Sequence, residues 1–190
     1  MCRGQVYLNR YADDFVCAFE NEHDAKRYYK ALKQRLNKYN LEVAEDKTRL
    51  IAFSPLRKRG KTRFDYLSFE FSWGLTRKIG RRLRRPIIKR RTSRKKFRAS
   101  RRTFKDWLTD NTRLPKKILF AKLNRKLRGY YQYYGIRGNS KSLGNFAYYV
   151  TLLLFKWINR HSQRKSYNWM GFRELVKHFG IAKPRIYHAF

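Results

Sequence analysis

Gln5-Val6-Tyr7-Leu8-Asn9-Arg10-Tyr11-Ala12-Asp13-Asp14-Phe15-Val16-Cys17-Ala18-Phe19 decides how the rest of this chain is read. Apolar, strand-forming residues flank Tyr11-Ala12-Asp13-Asp14, and aspartates favour turns because their short carboxylates bond nearby backbone. The stretch therefore predicts a tight β-hairpin with a carboxylate pair at its tip. Adjacent exposed carboxylates repel each other unless a cation sits with them. Mg²⁺ is suited to that place, being a hard ion that takes carboxylate and phosphate oxygens together. From the dipeptide alone, a plain turn without metal is the better reading. What lies downstream changes the balance.

Beyond the hairpin the period lengthens. Ala25, Tyr29, Leu32, Leu36 and Tyr39 recur at spacings of 4, 3, 4 and 3, one apolar stripe on a helix that Asn40 stops. Thr48 to Phe53 predicts a short strand closed by Pro55. Further strands are expected at Phe64 to Ser72 and Leu75 to Ile79, around a Trp73-Gly74 turn. After that the pattern is helical. Thr92 to Leu108 makes a basic helix with a narrow apolar face of Phe97, Phe104, Trp107 and Leu108. Pro115 starts a second, carrying Ile118, Ala121, Leu123, Leu127 and Tyr130/Tyr131. Leu143, Phe146, Val150, Leu153 and Trp157 stripe a third. Trp169, Phe172, Val176 and Phe179 stripe a fourth, closed by Gly180.

Charge divides the chain in the same place. Residues 1–70 hold 15 Lys/Arg against 10 Asp/Glu, a net of +5; residues 71–190 hold 33 against 3, a net of +30. The whole carries +35, which calls for a polyanionic partner. A membrane is excluded as that partner's setting, because the longest mostly apolar run, Phe146 to Phe155, is too short to span. Cys2 and Cys17 have neither metal-ligand nor disulfide spacing and read as reduced thiols. No leader is visible, so a cytoplasmic location is expected, in bacterial cytosol or nucleoid with an organelle left open. The expected organisation is α+β: a balanced module over 1–80 and an all-α, strongly cationic one over 81–190.

The run RYADDFV, then a helix, then LEVAEDKTRLIAF, then FDYLSFEF, resembles three successive reverse transcriptase motifs of group II intron-encoded proteins. LPKKILFAKLNRKLRGYYQYYG, KSLGNFAYYVTLLLFKWINRHSQ and KSYNWMGFRELVKHFGIAKPRIYHAF are similar to the maturase, or thumb, domain of the same family. The resemblance implies half of a polymerase palm followed by an RNA-gripping helical bundle. It implies that Asp13 is a principal ligand of a two-Mg²⁺ site and Asp14 its neighbour. Tyr11 and Ala12 would lie beside the primer end and incoming nucleotide. Lys47 matches a lysine that approaches the leaving pyrophosphate; a lysine on a solvated strand edge is the alternative. Tyr66-Leu67-Ser68-Phe69 matches the primer grip, with serine where the family usually has glycine. That serine is expected to fit poorly if the position needs φ > 0.

In this family a first catalytic aspartate lies well upstream of the hairpin, and no acid precedes Asp13 here. The two-ion site is therefore expected to be incomplete in this chain, and the chain inactive alone. A split-enzyme half with an N-terminal reverse transcriptase fragment as partner, a truncated remnant and a frame-broken gene all fit. RNA gripping needs no carboxylate. Arg81, Arg82, Arg84, Arg85, Lys89, Arg90, Arg91, Arg94, Lys95, Lys96, Arg98, Arg101 and Arg102 form a cationic strip without interspersed acids, suited to phosphate backbone. Arg128 adds to it. Tyr130, Tyr131, Tyr133 and Tyr134 are expected to divide between base stacking and bundle core. Function by resemblance is copying RNA into a DNA primer's extension and assisting intron splicing. The competing reading is an RNA-binding splicing cofactor without polymerase activity; a generic ribosomal-type RNA binder fits the ordered palm motifs worse.

Overall fold

Strand-forming residues on either side of the Ala12-Asp13 turn produce the first element pair. The structure, a computed structural model, describes residues 2–55, 62–76, 84–111, 113–160 and 167–188. Strands β1 (Val6–Tyr11) and β2 (Asp14–Phe19) pair antiparallel, with Tyr11 opposite Asp14 and Val6 opposite Phe19. Helix α1 (Glu22–Asn37) follows and packs on β2, where Phe19 meets Tyr28 with ring centroids 5.2 Å apart. Strands β3 (Arg63–Tyr66), β4 (Phe69–Leu75) and β5 (Pro86–Thr92) form a three-stranded sheet in that order. Helices α2 (Arg94–Asn111), α3 (Lys116–Tyr134), α4 (Ser140–Arg160) and α5 (Trp169–Phe179) complete an α+β chain. No described helix is long and apolar enough to cross a membrane.

The chain parts into two compact units, residues 1–67 with 71–88 and residues 68–70 with 89–190. In the first unit Asp24 is the single buried residue among those described. Its carboxylate accepts the backbone N–H of Arg3 at 2.8 Å and of Gly4 at 3.2 Å, tying the lead-in to β1 onto the first turn of α1. The half-buried rings of Phe53, Phe64, Phe71 and Trp73 cluster with centroids 5.1–5.4 Å apart.

The second unit owns the hydrophobic core. Phe104 and Leu108 of α2, Leu119, Phe120, Leu123, Leu127, Tyr131 and Tyr134 of α3, six residues of α4 and Phe172 of α5 are buried. Each such side chain contributes roughly 1.5–3 kcal/mol relative to exposure. A polar latch fixes the entry: Thr92 N–H donates to Asn139 Oδ1 at 2.9 Å, and Asn139 Nδ2 donates to Thr92 Oγ1 at 2.8 Å. Ser93 then caps α2, accepting from Lys96 N–H at 3.3 Å. Residues after α5 are stitched back onto α3. Asn124 Nδ2 donates to Gly180 O at 3.0 Å, and its Oδ1 accepts from Ala182 N–H at 2.7 Å. Gly135 O accepts from Tyr187 and His188 N–H. A Cβ at Gly135 would come within 2.2 Å of Tyr131 O and 2.7 Å of Arg185 O, so only glycine lets the tail cross there.

Four expectations are corrected. Residues 48–53 form no strand, because among the described residues no strand pairs with them; Thr48 instead bonds back to Ala44 O. The expected turn at Trp73-Gly74 lies inside β4, and the chain reverses at Leu67-Ser68, which take φ of 47° and 70°. Strand β5 was not foreseen: its Lys89, Arg90 and Arg91 mask the short apolar pair Ile87-Ile88. On α3, Ile118 and Ala121 face solvent while Leu119 and Phe120 face the core, a one-residue slip in the stripe. The stripe of α4 is buried residue for residue. The expected strand residues 77–79, and Arg81 and Arg82 of the expected cationic strip, lie outside the described residues.

Candidate active-site hairpin and nucleic-acid interface

The two-residue turn between β1 and β2 leaves Asp13 at the tip and Asp14 at the first position of β2, both exposed. Ala12 takes φ of 51°, a left-handed conformation that alanine adopts only where the flanking ladder fixes it. Arg10 Nε donates to Ala12 O at 2.8 Å and holds the turn from beneath. The side chain of Tyr11, at the end of β1, is also exposed. Tyr66 is brought to this hairpin: its hydroxyl bonds the Asn9 side-chain oxygen at 2.9 Å, two residues before Tyr11. Leu67 and Ser68 both adopt positive φ, so the serine does take the backbone conformation expected to require glycine. The physical reason is the two-residue turn itself, which demands left-handed residues between β3 and β4. Phe69 belongs to the second unit and packs on Tyr133 and Tyr134, with centroids 6.0 and 5.6 Å away.

Lys47 sits in an exposed turn over 45–47. Its neighbour Glu45 pairs with Lys33 of α1; the pairing holds the Glu45 carboxyl below its ordinary value and pushes the Lys33 amine up. No hydrogen bond or ion pair joins Lys47 to Asp13 or Asp14 among the described residues. Asp13 and Asp14 suit Mg²⁺ in kind, as carboxylates open to solvent. Among the described residues no group of three His, Cys, Asp or Glu gathers to hold a metal.

Helix α2 is divided lengthwise. Phe104 and Leu108 are buried, whereas Arg94, Lys95, Lys96, Arg98, Arg101, Arg102 and Lys105 are all exposed. Arg94, Arg98, Arg101 and Lys105 recur at spacings of 4, 3 and 4, so they line one side of the helix. The Arg101 guanidinium lies 4.0 Å over the ring of Tyr149 on α4. Sequence reasoning missed that pairing, and nothing short of the α2–α4 packing could reveal it. Arg84 and Arg85 are exposed, and Lys89 and Arg90 of β5 are half-buried. Arg128 is exposed on α3.

The tyrosine cluster needs correction. Tyr131 is fully buried, and burial pushes its hydroxyl up to about 12. Tyr130 is half-buried and stacks on Phe146 with centroids 3.8 Å apart; burial raises its hydroxyl too. Tyr134 is core. Only Tyr133 of the four is exposed, at 53%. The rings expected to stack on bases, Tyr130 and Tyr131, are packed instead: α3 turns Tyr130 onto Phe146 of α4 and places Tyr131 in the core. The exposed ring that periodicity could have revealed is Tyr148: the register that buries Leu143 to Trp157 turns it outward.

Comparison with known families meets this geometry at both ends. The family described as Reverse transcriptase (RNA-dependent DNA polymerase) matches residues 1–71. The family described as Group II intron, maturase-specific domain matches residues 97–175. No curated protein matches the chain. The hairpin with its Asp pair falls within the first match, and α2 from Phe97 onward to most of α5 within the second. With both segments present, in order and over most of its length, the chain belongs to the group II intron reverse transcriptase/maturase family.

Proposed function

We propose that the second unit grips intron RNA through the basic side of α2, and that the β1–β2 hairpin contributes Asp13 and Asp14 to a polymerase site. The observation that carries this reading is the lengthwise division of α2, with a buried apolar face and seven exposed cations on a unit that has its own core. Phosphate contacts of that kind set affinity and register without reading sequence. Asp13 would hold the metal with Asp14 beside it. Bound Mg²⁺ would stabilise the attacking and leaving oxygens of nucleotidyl transfer. Tyr11, Ala12 and the Tyr66-Leu67-Ser68-Phe69 turn would position the DNA primer end, and Lys47 would assist departure of pyrophosphate. This division of labour follows a palm segment over 1–80 and a thumb segment over 81–190. A further metal ligand would come from reverse transcriptase sequence of the kind that precedes such a hairpin, such as an N-terminal fragment.

A splicing cofactor without polymerase activity is the second reading. It is favoured by the uneven burial: fifteen hydrophobic residues are buried in the second unit and none in the first among those described. One experiment with two arms tests both readings. In the first arm, RNA binding is titrated at several salt concentrations. Each neutralised phosphate contributes a log–log slope of roughly −0.7 to −0.9, so neutralising Arg94, Lys95, Lys96 and Arg98 together should flatten it by about 3. An unchanged slope moves the RNA face off α2. In the second arm, primer extension on an RNA template should be absent for the chain alone. With an N-terminal fragment added, activity that vanishes in Asp13→Asn supports the polymerase reading. Incorporation by the chain alone, above an Asp13→Ala control, overturns the need for a partner.

A further inference from the structure

The side of α4 turned away from the core is aromatic. While Leu143, Phe146, Val150 and Leu153 point inward, the helical period places Lys141, Gly144, Tyr148, Leu152 and Phe155 together on the other side. Tyr148 is 67% exposed and Leu152 37%. Phe155, at the edge of this side, is half-buried against Phe172 with centroids 5.1 Å apart; it carries Trp169 of α5 stacked on it at 3.9 Å and 16°, and Trp169 itself remains 46% exposed. Gly144 lies on the same side, in mid-helix, and nothing comes within 4 Å of a Cβ built there. Glycine weakens a helix interior relative to alanine. No contact among the described residues requires it at this position, and its lack of a side chain leaves room for another molecule's backbone beside Tyr148.

Charge selects the occupant. Helix α4 contains no Asp or Glu, and Lys141, Lys156 and Arg160 are exposed along it. A second copy of a chain carrying +35 is repelled by the first. Exposed rings on a helix that carries cations and no acid are suited to stacking with unpaired nucleic-acid bases. We infer that this outer face of α4, with Tyr148 at its centre and Trp169 at its end, is a stacking platform for unpaired RNA bases. The inference rests on the RNA-binding reading of the second unit and adds a division within it: α2 holds backbone, and α4 distinguishes single strands from duplex.

The test uses the full chain, a fluorescein-labelled oligouridylate of about 12 nucleotides and an RNA duplex of similar length, read by anisotropy at several salt concentrations. Tyr148→Ala weakens oligouridylate binding roughly 10-fold, the scale of one lost base–aromatic stack, and changes duplex affinity by less than about 2-fold. Its salt slope stays that of the parent, because no phosphate contact is removed. Tyr148→Phe keeps the parent's affinity. Tyr148→Leu, which retains apolar bulk without a ring, behaves like Tyr148→Ala, so a fold defect peculiar to alanine cannot imitate the result. Equal losses on both RNAs, parent-like affinity in Tyr148→Leu, or a parent dimer dissociated by Tyr148→Ala would each overturn the platform. If the parent chain binds neither RNA, the reading beneath it falls as well. If only the α2 charge variant loses binding, that reading stands and the platform alone falls.

Discussion

Ala12 is the residue where backbone geometry and proposed chemistry meet most closely. Its φ of 51° is left-handed, which costs a residue with a Cβ roughly 1–2 kcal/mol, and the exposed methyl group contributes little packing in return. Glycine removes that strain but loses about 0.4–1 kcal/mol to the unfolded chain's freedom. Ala12→Gly should therefore stabilise the hairpin by roughly 0.5–1 kcal/mol, and Ala12→Val should destabilise it because β-branched residues resist this region. Hydrogen exchange of the β1–β2 amides measures both, and a less protected hairpin in Ala12→Gly would remove strain from the account. Asp24 offers a second residue-scale test. The Arg3 N–H bond, helped by Gly4, Asn21 and the charge of Arg27, holds its carboxyl below the ordinary 3.8 despite opposing burial. A depressed folded value means that its support is present above about pH 4 and is lost as pH falls through the folded value. The Arg3 and Gly4 amide signals should titrate with a midpoint below 3.8, and Asp24→Asn should abolish that titration. A midpoint at or above 3.8 would sink this assignment.

At the scale of elements, legibility followed periodicity. On α4 all five residues of the expected stripe are buried, though Leu154, beside Leu153 in an apolar run, joins them unforeseen; α2 was readable because its few apolar residues, Phe97, Phe104, Trp107 and Leu108, stand out among cations. Helix α3 was readable as a helix but not in phase: Ile118-Leu119-Phe120 is apolar on three successive positions, and only packing decides which two turn inward. Strands depend on partners distant in sequence, which is why residues 48–53 failed and β5 went unseen. The turn at Leu67-Ser68 was hidden for another reason: neither residue advertises φ > 0, and Trp73-Gly74 does so falsely. Of the candidate site, Asp13 and Asp14 were legible through the hairpin pattern, and the cations of α2 through their lack of acids. The tyrosines were not, because a run of four rings on a helix must divide between inside and outside, and the division belongs to the neighbouring helix.

For the whole molecule, the uneven distribution of buried residues predicts uneven stability. A unit with fifteen buried hydrophobic residues should protect its amides through near-global opening, whereas one whose single buried described residue is Asp24 should exchange through local fluctuations. Native-state hydrogen exchange read by mass spectrometry should show α3 and α4 slowest and the β1–β2 hairpin far faster. Equal protection in both units would contradict it. Within the second unit the same measurement bears on the tail that crosses Gly135. The bonds from Asn124 to residues 180 and 182 join positions 56 and 58 apart in sequence. Closing a loop that long is unfavourable until the surface that receives it exists. The tail therefore has a place in time as well as in space: it fastens after α3 and α4 have met, and on the way out it is the first thing to let go.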